Sequence, residues 1–191
     1  AFHYSCNYNH PDIAEALIRA GCDTSLRDMN GMTGRDMARM HGYTAVLTSL
    51  VQINNAADLV DAAKSGSCSA MDRVLEQGEL DIDAMLKANY DGRSYLATAL
   101  HTAVANKQGA AVRLLLERGA NPNLASSLGD TPLMIAVFKG SLPLLQPLLE
   151  AKAEMDTVNP ATGGTAFHFT CHLGNPDIAE ALVQAGCDTS L

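Results

Sequence analysis

Apolar and polar positions along this chain follow a long-range pattern with a period of about 33 residues. Three tetrads mark it, TALH at 98–101, TPLM at 131–134 and TAFH at 165–168, and their spacings are 33 and 34 residues. A fourth copy, AFH at 1–3, lacks only the leading Thr. Each tetrad is followed by apolar residues at helical spacing and then by a polar segment with a Gly. The pattern predicts repeated units of two helices closed by a short polar hairpin loop.

Local signals agree with such units. The Thr of each tetrad can cap a first helix, and the His of the tetrad can bond to the turn of the neighbouring unit. Pro132 suits the start of a first helix, and Pro11 and Pro176 suit the start of second helices. A glycine with positive φ is expected just past the end of three second helices, at Gly21, Gly119 and Gly186.

The repeat is interrupted near the middle of the chain. Thr33 opens a unit at 31–52 in which Arg35 and Asp36 replace the Leu-His pair, and its closing hairpin is missing. Residues 57–78 look like a starting cap, and a long loop is expected over 79–97. We therefore predict an all-α solenoid of about six units, with one domain at 1–52, a second at 56–191 and an irregular junction near 53–56.

Composition narrows the class of protein. Apolar residues make up 47% of the chain and aromatic residues 5%, with no Trp, which favours helices. The acidic net charge of −8 disfavours direct nucleic-acid binding and favours neutral or basic partners. Five cysteines without a tight framework, no signal peptide and no long apolar run predict a cytoplasmic protein without a membrane segment, with the nucleus as a further location.

Candidate chemistry is sparse. His168, Cys171 and His172 lie close together but match no common zinc spacing, and Cys171 is expected in the core. Cys22 and Cys187 are expected to be small buried residues rather than nucleophiles. We find no nucleophile, phosphate-loop or zinc-protease motif, and the acidic run at 79–83 lacks calcium-loop spacing. The sequence predicts no catalytic residue, no cofactor and no metal, hence no enzyme.

The TPLH-like tetrads and the closures such as LLLERGANPN at 114–123 resemble the ankyrin repeat over nearly the whole chain. In ankyrin repeats, the residues one, four and five positions after the tetrad face the binding groove. That frame implies a partner-binding face that holds four of the nine Phe and Tyr residues. The implied partner-binding residues are Tyr4, Asn7, Tyr8, Thr102, Asn106, Ile135, Phe138, Lys139, Phe169, His172 and Leu173. The alternative is that the first of these positions is half-buried between helices.

The stretch PDIAEALIRAGCDTSLRD at 11–28 is similar to the second repeat of the inhibitor-of-NF-κB (IκB, Cactus-like) family. The resemblance implies a cytoplasmic inhibitor in NF-κB signalling that binds a Rel-type transcription factor. Two alternatives stay open, a generic ankyrin adaptor or scaffold with an unrelated partner, and the targeting arm of a larger enzyme. Residues 1–26 and 166–191 match at 18 of 26 positions, which suggests a duplicated block. From these similar ends we also expect end-to-end self-association.

Overall fold

A computed structural model describes residues 1–76, 80–90 and 93–190. They form two compact units, one of residues 1–58 with 80–81 and the other of residues 59–76 and 82–190. The first unit holds α1 (Phe2–Asn7), α2 (Pro11–Arg19) and α3 (Gly34–Met40), and α4 (Thr44–Ser65) carries the chain into the second unit. The second unit continues with α5 (Cys68–Leu75), β1 (Leu86–Tyr90), β2 (Arg93–Ala97), α6 (Ala99–Ala105), α7 (Gly109–Glu117), α8 (Pro132–Phe138), α9 (Leu142–Glu150), α10 (Ala166–Leu173) and α11 (Pro176–Ala185). The predicted solenoid of paired helices is confirmed.

The helices begin and end where the sequence signals place them. The side chains of Thr98, Thr131 and Thr165 cap α6, α8 and α10 by accepting a hydrogen bond from the backbone N–H three residues on. Proline stands in the first turn of α2, α8, α9 and α11. The closing glycines predicted at 21, 119 and 186 all have positive φ.

In the first unit, α1 packs against α2 and α3. The core consists of Phe2, Cys6, Ala14, Ala38, Val46 and Leu50, all nearly inaccessible to solvent. In the second unit each helix pair packs on the next, α6 and α7 against α8 and α9, and these against α10 and α11. This nearest-neighbour burial is the source of stability in a solenoid.

Polar side chains link successive loops of the second unit. The backbone N–H of Asn121 donates to the Asp83 carboxylate over 3.0 Å, and that of Glu154 donates to Asn123 Oδ1 over 2.8 Å. The N–H of Asp188 donates in the same way to Asp156 Oδ1 over 2.9 Å. These bonds set the spacing of the loops, because each joins residues about one repeat apart.

The junction expected at 53–56 is not irregular, since α4 runs through it over 22 residues. Buried apolar residues recur every three or four positions along this helix, at Val46, Leu50, Ile53, Ala56, Leu59 and Ala63. This stripe keeps the segment helical despite Asn54 and Asn55, whose local preference for turns is weaker than the gain from burial. The two compact units divide inside the helix, between residues 58 and 59.

The loop expected over 79–97 contains instead an antiparallel hairpin of β1 and β2, in which Leu86 pairs with Ala97 and Ala88 with Tyr95. Inward residues such as Leu86 and Tyr95 are buried and their neighbours are exposed, which is the period of two of a half-buried strand. The Leu96 N–H donates to Ser127 Oγ over 2.8 Å. Residues 79, 91 and 92 of the expected loop lie outside the described residues.

Among the described residues, no helix is both long enough and apolar enough to cross a bilayer.

Candidate protein-binding surface

The first unit displays a pair of tyrosines, one on α1 and one at its C-terminal end. Tyr4 and Tyr8 are 66% and 52% exposed, and their ring centroids lie 4.4 Å apart, because residues four apart share one face of a helix. The neighbouring Tyr8 hydroxyl raises the pKa of Tyr4. Asn7 is half-buried, and its Oδ1 lies 3.0 Å from Nε2 of His41, at the end of α3. An exposed aromatic pair is thus placed beside the end of the next first helix.

Two residues at the C-terminal end of α3 extend this surface and are absent from the predicted set. Met40 is 64% exposed, and His41 is exposed and stacks on Tyr43 with 5.3 Å between ring centroids. They stand four and five positions after the tetrad that Thr33 opens, so the same register would have found them if the atypical tetrad had been treated like the others. We call Tyr4, Tyr8, Met40 and His41 the first-unit patch.

The second unit carries a corresponding cluster on α8 and α10. Phe138 is 45% exposed, and its ring centroid lies 4.7 Å from that of half-buried Phe169 on the next repeat. A glycine leaves room for this contact, since a Cβ on Gly164 would lie 3.1 Å from Phe169. His172 is exposed and Leu173 is 48% exposed, one turn beyond Phe169 on α10. Phe138, Phe169, His172 and Leu173 form the second-unit patch.

The remaining predicted residues border this patch. Ile135 and Lys139 are half-buried on α8 and at its C-terminal end. Asn106 is exposed and caps the end of α6, where its Nδ2 donates to the Thr102 carbonyl over 2.8 Å. They would form the rim, rather than the centre, of any contact made at the second-unit patch.

Thr102 does not belong to the exposed face. It is only 6% exposed, and its hydroxyl donates to the Thr98 carbonyl over 3.2 Å. Its position directly follows the tetrad. Ile135 and Phe169, at the same position of the next two repeats, are half-buried. The alternative weighed from the sequence, burial of this first position between helices, holds for the second unit.

The tetrad histidine is a structural group. His101 Nδ1 lies 2.8 Å from Thr98 Oγ1 and accepts a hydrogen bond from the Thr98 N–H. The ring proton is therefore on Nε2, which donates to the Asp130 carbonyl over 3.1 Å. The side chain is fully buried, and burial lowers the pKa of His101 from 6.5 to about 4, although the Asp130 carbonyl acts in the opposite direction. This neutral imidazole confirms the expected bond from the tetrad to the neighbouring turn.

The cysteines divide by position. Cys187 is buried, which raises the pKa of its thiol, and Cys22 is half-buried. Cys171, expected in the core, is exposed instead. The equivalent Val104 and Val137 are buried. Over residues 1–76, 80–90 and 93–190, no three His, Cys, Asp or Glu side chains are grouped to hold a metal.

A family model described as "Ankyrin repeats (3 copies)" matches residues 59–159 and 100–191, and one described as "Ankyrin repeat" matches residues 1–29. The chain therefore belongs to the ankyrin-repeat family, a family of protein-interaction modules without catalytic residues of their own. Its two exposed patches are candidate contact surfaces, since aromatic side chains dominate binding energy at interfaces.

The chain is similar to the mouse "B-cell lymphoma 3 protein homolog", with 31% identity over 182 residues, which cover 95% of this chain and 34% of that protein. It is similar to the chicken "Nuclear factor NF-kappa-B p105 subunit", with 28% identity over 163 residues, 82% of this chain and 17% of that protein. Human "Transient receptor potential cation channel subfamily A member 1" shares 30% over 125 residues, 65% of this chain and 11% of that protein. The chain spans about a third of the B-cell lymphoma 3 protein. The resemblance to the IκB family is confirmed, because that protein belongs to it.

Proposed function

We propose that this chain is an IκB-like binding module whose partner is a Rel/NF-κB-type transcription factor and whose action is inhibitory. The observation that carries the proposal is the likeness to the B-cell lymphoma 3 protein, which extends over 95% of this chain rather than over one repeat. We place this function in the cytoplasm, with the nucleus as a further location.

Charge supports the choice of partner. A transcription factor presents Lys and Arg where it contacts DNA phosphates. This chain carries 21 Asp and Glu residues against 13 Lys and Arg residues. Its negative electrostatic potential therefore attracts a basic protein surface and repels DNA. An acidic module that covers a basic surface competes with DNA for it, which is a direct route to inhibition.

The test is a calorimetric titration of this chain into a purified Rel-homology dimer. We expect saturable binding that weakens as salt rises from about 50 to 500 mM, because screening removes the attraction between the two surfaces. In a second arm, the chain is added to the dimer on a labelled DNA probe and is expected to release the probe. Absence of binding at any salt concentration would refute the Rel assignment, and binding without release of DNA would refute the inhibitory part.

A second candidate is an adaptor with an unrelated partner. The similarity to the cation channel, 30% over 125 residues, favours this candidate. That identity is comparable to the 31% shared with the B-cell lymphoma 3 protein, yet the channel is a different kind of protein. A pull-down from cell extract with this chain as bait, followed by mass spectrometry, separates the two. Reproducible enrichment of Rel proteins supports the first candidate, and enrichment of other proteins without Rel supports the second.

A further inference from the structure

An arginine stands in the first unit where other repeats place a buried leucine. Arg35 is the third residue of its tetrad, the position of Leu100 and Leu133, which are both 0% exposed. Arg35 itself is half-buried. A guanidinium keeps its charge at all physiological pH values, so this position brings a permanent cation next to an apolar core.

The side chain of Arg35 faces a cavity of about 250 Å³ within the first unit. Phe2 and Leu50, each 3% exposed, supply an apolar wall, and the remaining wall is polar. A wall of low polarity strengthens any electrostatic contact made in the cavity. The six lining residues are Phe2, Thr24, Thr33, Arg35, Leu50 and Asn54.

Arg35 forms no ion pair within the described part of the chain. Residues 1–76, 80–90 and 93–190 contain two ion pairs, Arg19 with Glu15 and Arg118 with Asp72. Among the residues that the structure describes, no carboxylate lines the cavity. The nearby Asp36 is occupied in the cap of α3, where its carboxylate accepts from the Thr33 N–H over 3.0 Å and from the Thr33 hydroxyl over 2.8 Å. These bonds lower the pKa of Asp36 and hold its charge in the cap.

Three donor groups remain available to a ligand. The Arg35 guanidinium has five N–H donors in a planar fork, and Thr24 and Asn54 add a hydroxyl and an amide. Within the described residues none of these three side chains has a hydrogen-bond partner. The Thr33 hydroxyl is excluded because Asp36 already accepts its proton.

We propose that this cavity binds a phosphoryl group carried by a phosphorylated side chain of a bound protein. Three donor groups on separate segments suit the three terminal oxygens of a phosphate monoester, whereas a carboxylate has only two oxygens to offer. The cavity is smaller than the about 300–1,000 Å³ typical of sites for whole small molecules, so it accepts one side chain. The proposal does not depend on a Rel-type partner.

The test follows the Asn54 side-chain amide and the backbone amide of residue 35, which exist in every variant, by ¹H–¹⁵N NMR of the full chain while N-acetyl-O-phosphoserine amide is added. We expect a saturable shift, and at least tenfold weaker binding to Arg35→Leu. That variant restores the leucine found in other tetrads, so it is expected to fold, which a thermal melt checks. The matched control is Arg39→Leu, which removes an exposed charge from the same helix and is expected to bind like the original chain.

Two further probes define the chemistry. Inorganic phosphate alone tests for a free-ion site, and N-acetyl-glutamate amide tests for a carboxylate site. Binding of the phosphoserine probe that Arg35→Leu abolishes and Arg39→Leu retains supports the proposal. Equal loss in both arginine variants, tighter binding of the glutamate probe, binding of free phosphate but not of the phosphoserine probe, or no shift with any probe would each overturn it.

Discussion

The ring of Phe2 fills the space that a side chain at Gly34 would need. A Cβ on Gly34 would lie 2.7 Å from Phe2 Cε1, closer than real Cβ atoms approach their neighbours, and 3.0 Å from Cys6 Sγ, which is a tight contact. Phe2 is the third residue of its tetrad, the position that Leu100 and Leu133 hold in other repeats. Gly34 is the second residue of its own tetrad, the position that Pro132 holds in the repeat at 131–134. The larger ring on α1 is therefore accommodated by the smallest residue on α3.

Gly34→Ala is expected to destabilise the first unit by about 1–3 kcal/mol, because overpacking outweighs the better helix propensity of Ala. Chemical denaturation measures the change. Gly109→Ala is the matched control, since its Cβ would meet only Leu144, at 4.0 Å, and it is expected to be neutral or stabilising. In the background of Phe2→Leu the Gly34→Ala penalty should shrink, and an unchanged penalty would contradict the contact.

Acidification is expected to destabilise the second unit through His101. Its pKa is about 4 in the folded chain and about 6.5 when unfolded, so the unfolded chain binds the proton first. Stability is complete above pH 6.5 and falls as pH decreases from 6.5 towards 4, by up to about 3 kcal/mol. Urea denaturation at several pH values measures this slope.

The variant His101→Gln isolates the histidine contribution. Carboxyl groups such as Asp28 and Asp36, whose pKa values are lowered by hydrogen bonds, also stabilise the fold less as pH falls. Their contribution is the same in the original chain and in the variant, so it cancels in the comparison. We expect His101→Gln to be less stable at pH 7 and to have a flatter slope between pH 6.5 and 4. His168→Gln, which removes an exposed imidazole with the same bond to its tetrad Thr, controls for loss of that bond. Equal slopes in the original chain and His101→Gln would show that His101 is not desolvated.

The sequence predicts the helix ends well because their causes are local. The cap at Thr98 involves residues three positions apart, and the turn at Gly119 depends on one residue's φ. The continuity of α4 is not local, since it depends on the burial of Ile53 and Ala56 against the weak turn preference of Asn54. A residue's neighbours in the sequence do not reveal that burial.

The sequence predicts which positions of each repeat form the candidate surface, but it does not predict how exposed each side chain is. Tyr4 and Thr102 occupy the same position after their tetrads, yet Tyr4 is 66% exposed and Thr102 6%. The tetrad does not encode this difference in exposure. Met40 and His41 are absent from the predicted set for a different reason, because the tetrad before them is atypical.

Core and surface positions of one repeat should respond differently to truncation. Leu115 is fully buried on α7, and Leu115→Ala is expected to cost about 2–5 kcal/mol through the cavity left behind. Asn106→Ala removes one exposed hydrogen bond at the end of α6 and should cost no more than about 1 kcal/mol. Urea unfolding compares the two variants, and a larger loss for Asn106→Ala would contradict the assignment of the helix faces.

The two patches should contribute to partner binding more than to stability. Tyr8 and Phe138 are 52% and 45% exposed, so their removal leaves no large cavity and is expected to cost less than about 1 kcal/mol of folding free energy. A central aromatic contact at an interface is worth about 2 kcal/mol or more, so Tyr8→Ala or Phe138→Ala should weaken binding of the Rel-homology dimer at least tenfold if its patch is covered.

Exposed apolar residues on second helices provide the matched controls. Ile13 on α2 and Val183 on α11 are 51% and 50% exposed, and Ile13→Ala and Val183→Ala should leave the affinity within about twofold. Calorimetry gives the affinities, and thermal unfolding of the same samples gives the stabilities. If the second-helix variants lose as much affinity as Phe138→Ala and Tyr8→Ala, the partner does not dock on the first-helix patches. If one patch alone responds, the partner covers that unit only, because each patch lies within a single unit and reports on it independently.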